Sequence, residues 1–471
     1  MRTFQFSDAK SHKFWNIDVQ GSAFIVTFGK VGSAGQTQTK TVASPAAAQA
    51  EADKLVKEKT KKGYTETTPK TSATDAEAFE ATLHANPHDL AGWCAFADYL
   101  AEQGDPRGEF MQTQIALEDE SRPKSERDAL KKKEAALLKK HKKEWLGDWA
   151  DTPDIGGATD EWAPTEGWVP YRFTRGMITG VEIGSLSVDI ARQVIKAPQL
   201  GFVRELIVHG IDYQEEGDYE AGPDTANVED GDPGQYVLVR WPQLKHVRVF
   251  RFGGCEPYEY DDDWPHSCHM PGTLIADFVK QMPDIEVLHI MAHFREEVNR
   301  IASFTMHRLH TLLLYHGWNF PLDKLAKNVS LTGLRELYCH PHSHEGDDDG
   351  AYIKLSHLRA ICRSPILTNL THLRLRLADF GDEGIEEIIK SGLLKRLKLL
   401  DLRHGLVTDE GAKALAACAD LKSLTHLDLG WNRLTDEGIA ALTKTGVAAT
   451  LIHQQSATTD RWETFGQGDI E

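Results

Sequence analysis

Apolar residues recur with a fixed spacing in the last third of the chain. Leu424–Leu434, LTHLDLGWNRL, has leucine at positions 1, 4, 6 and 11 of an eleven-residue pattern and asparagine at position 9. Residues 397–407 repeat this pattern, with Gly405 at the asparagine position. An Asp-Glu-Gly triplet begins at 382, 409 and 436, so the triplets are 27 residues apart. Alternating apolar residues predict a strand with one buried face, and the segment after it predicts a helix.

A looser form of the same apolar pattern begins at six earlier residues, so the sequence contains eight candidate repeats. The earlier starts are Val203, Leu244, Ile285, Leu309, Leu334 and Leu370. One such unit cannot bury its apolar face alone, so the units must stack. The last three units resemble the ribonuclease-inhibitor-like class of leucine-rich repeats, and the resemblance implies an α/β solenoid. A different α/β arrangement of residues 150–280 remains open.

Insertions lengthen the spacing between several repeat starts. Residues 212–232 contain nine carboxylates and no Lys or Arg, and residues 340–350 read HPHSHEGDDDG. A third insertion contains Cys255, His266, Cys268 and His269. Insertions in a stacked-repeat fold map to loops along one side.

A second alternating pattern lies near the N-terminus. Residues 14–19 and 24–28 predict two strands joined by a turn at Gly21, and an Ala-rich helix is predicted at about 46–62. The segments KFW (13–15), FGKVGSAGQ (28–36) and KEKTKKGY (57–64) resemble the WGR domain over nearly all of this unit.

The WGR resemblance implies a contact with nucleic acid, because this domain binds near DNA strand ends in eukaryotic poly(ADP-ribose) polymerases. The Trp-Gly-Arg motif that names the domain is replaced here by Phe28, Gly29 and Lys30. An aromatic face can stack on a base and a lysine can reach phosphate, although lysine lacks the two-pronged arginine fork. The candidate nucleic-acid-binding residues are Phe28, Lys30, Lys59, Lys61 and Lys62. The alternative is that Phe28 is only a sheet residue and Lys30 a turn cation.

A Thr/Ser/Pro-rich linker at 65–74 leads into a helical middle segment. Residues 78–117 resemble the short repeat-companion domain that precedes leucine-rich repeats in some bacterial proteins, through DYL at 98–100, GDPRGE at 104–109 and Gln114. One helical face is predicted to bury Trp93, Phe96, Ala97 and Leu100. We expect the charged residues Asp98, Arg107 and Glu109 to form a structural ion-pair network. A Lys-rich helix is predicted at 124–143.

Charge and composition refine this picture. The 471 residues have a formal net charge of -18, but residues 1–70 carry 11 Lys/Arg and 6 Asp/Glu, a balance of 11 − 6 = +5. This asymmetry favours a polyanion partner for the N-terminal unit. No stretch approaches the ~18 apolar residues of a membrane span. The six cysteines lack CxxC spacing, so we expect reduced thiols and a soluble, cytoplasmic protein.

Metal and catalytic motifs are weak. His340, His342 and His344 with Asp347–Asp349 have the composition of a metal site, but the nearby Gly346 and Gly350 indicate a flexible loop. The sequence contains no GxGxxG helix opening, Walker loop, HExxH or GxSxG motif. We therefore expect neither a metal nor a cofactor, and no enzymatic activity.

The outward strand positions of the repeats are rich in cationic and aromatic residues. These positions are predicted to hold His246, Arg248, Phe250, His289, Tyr315, Tyr338, His340, His372, Arg374, Arg376, Arg403 and His426. Arginine and tyrosine often anchor protein interfaces. The candidate protein-binding residues are Arg248, His289, Tyr315, Tyr338, Arg374, Arg376 and Arg403. The alternative is that strands merely favour aromatic residues and that the arginines pair with acids such as Asp401 and Asp428.

The sequence thus predicts a multi-domain protein. Its parts are a small α+β WGR-like domain (1–68), a linker with a short helical repeat-companion module (69–150), and an α/β leucine-rich-repeat solenoid with acidic and His-rich insertions (151–471). We expect a non-enzymatic binding or adaptor protein whose concave solenoid face grips an acidic protein or peptide. Two alternatives remain: a regulatory or repair factor that binds DNA ends through the WGR-like domain, and a metal-dependent enzyme that uses the His-rich insertion.

Overall fold

The computed structural model of the chain divides into two compact units, Met1–Gly104 and Asp105–Glu471. It describes residues 2–8, 11–20, 22–30, 35–42, 44–66, 71–147, 171–212, 233–253, 274–294, 297–317, 320–341, 353–456 and 458. The predicted middle module therefore contributes helices to both units, and each unit is described by itself below.

The first unit begins with a five-stranded antiparallel sheet, whose strand order is β4-β3-β2-β1-β5. The elements are β1 (Arg2–Asp8), β2 (Ser11–Gln20), β3 (Ala23–Lys30), β4 (Gln36–Thr41), helix α1 (Pro45–Lys61) and β5 (Thr65–Glu66). One sheet face buries Phe4, Trp15, Ile17, Phe24 and Val26 against Ala48, Ala52 and Val56 of the helix. The two predicted strands and the predicted helix are confirmed.

Two further helices complete the first unit, α2 (Thr71–Ala85) and α3 (Leu90–Glu102). The α3 residues Trp93, Phe96, Ala97 and Leu100 are buried, as the apolar spacing predicted. The Asp89 carboxylate caps α3 by accepting a hydrogen bond from the Gly92 amide at 3.0 Å.

The second unit begins with two helices, α4 (Pro106–Leu117) and α5 (Lys124–Leu146). Arg107 and Glu109 of the predicted ion-pair network each form an ion pair, but with other partners: Arg107 pairs with Asp105 at 2.8 Å, and Glu109 pairs with Lys133 of α5 at 2.8 Å. Asp105 precedes α4 and caps it, so it lies closer to the Arg107 side chain than Glu109 does.

An eleven-stranded sheet forms the rest of the second unit. In spatial order it contains β6 (Tyr171–Thr174), β7 (Met177–Leu186), β8 (Glu205–Ile211), β9 (Val249–Phe252), β10 (Val287–Phe294), β11 (Thr311–Gly317), β12 (Glu336–Pro341), β14 (His372–Leu375), β16 (Leu399–Asp401), β17 (His426–Asp428) and β18 (Ala449–Thr450). All neighbours are parallel except β6 and β7. A separate two-stranded sheet pairs β13 (Ile353–Lys354) with β15 (Ala378–Asp379).

Helices connect successive parallel strands and pack on one face of the sheet. They are α6 (Val188–Lys196), α7 (Pro233–Leu238), α8 (Ile275–Lys280), α9 (Glu297–Ile301), α10 (Leu322–Leu325), α11 (Leu355–Cys362), α12 (Gly381–Ser391), α13 (Asp409–Ala417) and α14 (Asp436–Thr443). Their apolar residues and the pattern leucines of the strands form one continuous core. Among the described residues, none of the helices combines the length and apolar character that a bilayer span requires.

Strand pairing corrects the start of the second repeat. Val249 pairs with both Glu205 and Val287, which lie two residues after the predicted starts Val203 and Ile285. The equivalent start is therefore Val247 and not Leu244, which lies in a short 3-10 turn. Strand β7 adds one unpredicted parallel strand before Val203.

Helices α4 and α5 cover the first end of this sheet. The Gln114 side chain accepts a hydrogen bond from the Gly176 amide at 2.7 Å and donates one to the Phe173 carbonyl at 3.3 Å. The Phe110 ring lies 4.7 Å from the Trp145 ring and 5.6 Å from the Phe173 ring. Stacked repeats require such terminal coverage, because their end units otherwise expose core residues.

The 27-residue period of the Asp-Glu-Gly triplets has a hydrogen-bonded cause. The Asp409 carboxylate accepts bonds from the Thr435 amide (2.8 Å), the Thr435 hydroxyl (2.6 Å) and the Gly438 amide (3.0 Å) of the next repeat. Asp382 makes the equivalent bonds to Thr408 and Gly411. Each of these aspartates therefore ties the start of its own helix to the start of the next.

The pattern asparagine bridges strands in the same region. Asn432 is fully buried; its side chain donates to the Leu402 and Gly430 carbonyls at 2.9 and 3.1 Å and accepts from the Val407 amide at 3.0 Å. The side chain satisfies backbone groups where the chain leaves the strand. A Cβ atom at residue 405 would lie 2.8 Å from the side-chain oxygen of Asn432. Glycine at this pattern position therefore leaves room for the asparagine of the next repeat.

We predict that Asp409→Ala lowers the free energy of unfolding by about 1 to 2 kcal/mol, because it removes the acceptor of three hydrogen bonds between repeats. Urea unfolding followed by circular dichroism measures the loss. Asp436→Ala is the matched control, since Asp436 opens the last described helix and no described repeat follows to receive its bonds. Equal losses in the two variants would contradict the role of Asp409 between repeats.

Candidate functional site

The sheet of the second unit has one face that points away from the helices. Pattern positions 1, 4 and 6 are buried under the helices, so positions 5 and 7 alternate to the opposite side, which we call the open face. Backbone pairing aligns position 5 of successive strands as Glu182, Ile207, Arg251, His289, Leu313, Tyr338, Arg374, Asp401, Asp428 and Thr450. The open face therefore carries one continuous row of side chains, in which charged, aromatic and aliphatic residues follow one another from strand to strand.

Five charged residues form an arginine–aspartate cluster on the open face: Arg374, Arg376, Asp401, Arg403 and Asp428. Asp401 lies between three guanidinium groups, at 3.2 Å from Arg376, 3.8 Å from Arg374 and 3.6 Å from Arg403. Asp428 pairs with Arg403 at 3.0 Å. The predicted alternative that these arginines pair with Asp401 and Asp428 is thus confirmed at the level of contacts.

The two aspartates of the arginine–aspartate cluster are electrostatically unequal. Burial of Asp401 opposes ionisation, but the charges of Arg376 and Arg403 outweigh it and hold the pKa of this carboxyl below its usual value. Burial raises the pKa of Asp428, and the neighbouring charge of Asp401 raises it further. Asp401 is therefore the stable anion of the cluster and Asp428 the weaker one.

A small apolar group lies beside this cluster on the same face. Met291, Leu313, Tyr315 and Tyr338 are all buried and pack together. The Arg376 guanidinium lies 5.2 Å from the centre of the Tyr338 ring, and His340 stands edge-on to Tyr315 at 4.3 Å. The Arg376–Tyr338 contact is a cation–π attraction.

Burial separates the predicted protein-binding residues into two groups. Four of them are almost fully buried and offer a ligand little surface. They are His289 (8% exposed), Tyr315 (2%), Tyr338 (2%) and Arg376 (5%). Arg374 and Arg403 keep 17% and 22% of their side chains exposed. A ligand approaching the open face meets Arg374 and Arg403 first.

Three predicted outward residues of the second repeat, His246, Arg248 and Phe250, are misplaced, because the repeat starts at Val247. His246 lies at the end of a short 3-10 turn before the strand. Phe250 is fully buried in the main core. Arg248 lies before β9, and its guanidinium pairs with Asp284 at 2.9 Å. Arg251 takes the position in the row that had been assigned to Arg248.

The first unit contains a second cluster, formed by lysines distant in sequence. Antiparallel pairing places Lys13 directly opposite Lys30. The Lys59 ammonium lies 5.5 Å from the Trp15 ring centre and 5.1 Å from that of Tyr64. Burial lowers the pKa of Lys59, and the charges of Lys62 and Lys13 lower it further. We call this group the lysine–aromatic cluster: Lys13, Lys30, Lys59, Lys62, Trp15 and Tyr64.

The lysine–aromatic cluster includes three of the five predicted nucleic-acid-binding residues. Lys30 and Lys62 are exposed, whereas Lys59 is partly buried between rings. Lys61 is exposed in the last turn of α1. Phe28 pairs with Trp15 in the sheet and packs against the core, so it takes the position of a sheet residue. Sequence reasoning missed Lys13, Trp15 and Tyr64, which only strand register and the end of α1 bring to this place.

The proposed metal-binding groups fall largely outside the described residues. Residues 342–350 and the group Cys255, His266, Cys268 and His269 are among those outside. His340 is described and is 2% exposed against Tyr315. Within the described ranges, no three His, Cys, Asp or Glu side chains are grouped to hold a metal ion.

Family models match both ends of the chain. Residues 1–71 match the WGR domain, and residues 367–388, 396–416 and 420–442 match a leucine-rich repeat. The predicted WGR domain and the last three predicted repeats are thereby confirmed. The repeat-companion assignment of the middle segment stays a prediction.

Two Escherichia coli K12 proteins resemble parts of the chain. YfeS is 40% identical over 102 residues, which are 21% of this chain and 41% of YfeS. YehF is 47% identical over 66 residues, which are 14% of this chain and 24% of YehF. Among solved structures, a Bacteroides fragilis protein aligns at 19% identity with a TM-score of 0.41 over 97% of both chains. The chain thus spans less than half of either Escherichia coli relative.

We predict that the buried imidazoles make the repeat region sensitive to acid. Burial, aided by the charge of Arg251, lowers the pKa of His289 from 6.5 to about 4. The unfolded state therefore binds a proton first, and the stabilising contribution, complete above pH 6.5, is lost as the pH falls through the interval from 6.5 to 4. Between pH 7.5 and 4.5, His289→Gln should lose roughly 2 to 3 kcal/mol less unfolding free energy than the wild type.

Urea titrations at the two pH values measure this difference. His372→Gln is the control, since it removes an imidazole that is 38% exposed on the same sheet. A pH dependence of His289→Gln equal to that of the wild type would show that His289 does not contribute to acid sensitivity.

Proposed function

We propose that the chain is a non-enzymatic binding protein whose repeats form a solenoid that holds an acidic protein or peptide on its open face. The observation that carries this proposal is the arginine–aspartate cluster, in which three guanidinium groups face only two carboxylates. The cluster keeps a positive excess of one, although the whole chain carries -18. A local cationic site in an acidic protein selects anionic partners by attraction there and by repulsion elsewhere.

The surroundings of the arginine–aspartate cluster favour a peptide segment as the ligand. The buried group of Met291, Leu313, Tyr315 and Tyr338 continues the open face on one side. His426 and Thr450 continue it on the other, joined at 3.1 Å. An extended peptide can place successive side chains against these neighbouring charged and apolar groups of the open face.

By contrast, two arginines on the helices of the described repeats each contact two carboxylates. Arg300 contacts both Asp277 and Glu297. Arg359 contacts both Glu383 and Glu387. In these groups acids equal or outnumber the arginine, so the positive excess on the open face is not repeated there.

A second binding function is supported by the lysine–aromatic cluster. Lys13 and Lys30 are directly opposed on neighbouring strands, so two positive charges lie side by side at this end of the sheet. Exposed lysines reach phosphates, whereas the Trp15 ring is buried and serves to position Lys59. We propose that this end of the WGR domain binds nucleic acid, with Lys30 and Lys62 as its exposed cations.

Helices α4 and α5 have a structural part in this scheme. Their contacts with β6 and β7 support the proposal that the repeat-companion segment caps the solenoid and does not itself bind the partner. The competing metal-dependent enzyme depends on residues 342–350, and metal analysis of the purified protein decides it.

We predict that Arg374→Gln combined with Arg403→Gln weakens binding of a fluorescent deca-glutamate peptide to the full chain at least tenfold. The reason is the loss of two charge-assisted contacts, each worth roughly 1.5 to 3 kcal/mol. Fluorescence anisotropy at low salt measures the affinity. Glutamine removes the positive charge without adding the burial cost of a new negative charge. Arg376 is left intact because it is only 5% exposed and its replacement would disturb the fold.

The matched control replaces Arg308 and Arg359, which are 57% and 41% exposed and lie outside the open face. This double variant should bind the peptide like the wild type. Equal affinity of all three proteins would sink the open-face proposal, and equal weakening in both variants would show only a general charge effect.

For the nucleic-acid site, we predict that Lys30→Gln with Lys62→Gln weakens binding of nicked duplex DNA. The dependence of log affinity on log salt should become less steep by about 1.8, because two phosphate contacts are lost. Lys54→Gln with Lys57→Gln, exposed residues of the same helical unit, is the control. An unchanged salt slope in the Lys30/Lys62 variant would exclude these lysines as phosphate contacts.

A further inference from the structure

A cavity of about 130 Å³ opens within the arginine–aspartate cluster. It is lined by Arg374, Arg376, Leu399, Asp401, Arg403, His426 and Asp428. One water needs about 10 to 15 Å³ of such volume, so the cavity holds several waters or one small polyatomic ion. Six of the seven lining side chains are polar or charged.

The cavity has more hydrogen-bond donors than acceptors. Arg376 uses Nε and Nη2, both on Oδ2 of Asp401, at 3.3 and 3.2 Å. Arg403 Nε lies 3.0 Å from Oδ2 of Asp428 but makes no hydrogen bond there. Among the described residues, Nη1 of Arg376 and both terminal nitrogens of Arg403 have no acceptor.

The carboxylates cannot make up this deficit. Asp401 already accepts from Arg376 and from the Arg403 amide, the latter at 3.0 Å. Asp428 accepts from the Gly430 amide at 2.9 Å. Burial and the charge of Asp401 also raise the pKa of Asp428, so this acid is the weaker counter-ion of the two.

We infer that the cavity is an oxyanion site that takes one carboxylate or phosphate group of the acidic partner. This inference rests on the proposed function and names the group that the open face recognises. Guanidinium groups match the oxygen geometry of carboxylate and phosphate with parallel N–H donors. The site is partly enclosed, so salt screens its charges less than it screens surface pairs.

The affinity of the full chain for inorganic phosphate and for acetate tests this inference. Each anion is titrated calorimetrically at constant ionic strength, with chloride as the balancing ion. We expect one saturable site that discriminates against chloride. The anion with the higher affinity identifies the source, because phosphate stands for a phosphorylated residue and acetate for an acidic side chain or C-terminus.

Two substitutions in the cavity should act in opposite directions. Arg403→Gln should weaken the bound anion at least tenfold, because it removes terminal donors that have no other acceptor. Asp428→Asn should tighten binding severalfold, since it removes a competing carboxylate from Arg403. A purely structural cluster moves stability in both variants but produces no opposite changes in anion affinity.

Controls keep the outcome decisive if one variant folds poorly. Arg403→Lys retains the charge without the guanidinium fork and should fall between wild type and Arg403→Gln. Arg308→Gln removes a 57% exposed arginine elsewhere and should leave anion affinity unchanged. Absence of saturable binding for both anions, or equal binding in all variants, overturns the inference.

The result is separable from that of the peptide experiment. If deca-glutamate binds through Arg374 and Arg403 but neither small anion saturates, the open face is confirmed and the oxyanion cavity is wrong. If phosphate or acetate binds with the expected variant pattern but the peptide does not, the cavity stands and the protein-binding function falls.

Discussion

The fold of the larger unit depends on one constraint: no repeat can bury its own apolar strand face. Each pattern leucine, such as Leu400 or Leu427, is completely buried only because the next strand and helix lie beside it. Removing a side chain of this size from water stabilises the fold by roughly 1.5 to 3 kcal/mol, so register between repeats dominates the free energy. The order of residues along the open face follows from that register.

The same register explains why charged residues tolerate burial on the open face. Parallel pairing sets Arg374 beside Asp401, and Asp401 beside Asp428. A lone aspartate as buried as Asp401 would be costly, but three guanidinium groups within 4 Å offset that cost. Arg376 is thus almost fully buried within the cluster, whereas Arg374 and Arg403 keep part of their surface exposed, where the proposed partner could reach it.

Sequence patterns predicted the repeats well where only one register satisfied them. Around Leu244 two registers fit: Leu244, Val247 and Val249 satisfy the apolar spacing, and so do Val247, Phe250 and Phe252. Only pairing of Val249 with its neighbours decides between them, which is why Arg248 was misplaced. The lysine–aromatic cluster was only partly predictable for a similar reason, because the pairing of Lys13 with Lys30 depends on hairpin register.

The aspartate bonds between helices also bear on how such a region changes length. Asp382 binds residues 26 and 29 positions ahead, and Asp409 does the same. Loss of residues 408–434, one period of 27, would bring Thr435 and Gly438 to the places of Thr408 and Gly411. Asp382 would then meet the same chemical groups as before. Unequal recombination of one whole period in this segment would therefore keep the bonding pattern, whereas a deletion of another length between Asp382 and Thr435 would move the Thr435 and Gly438 amides out of register with the Asp382 carboxylate.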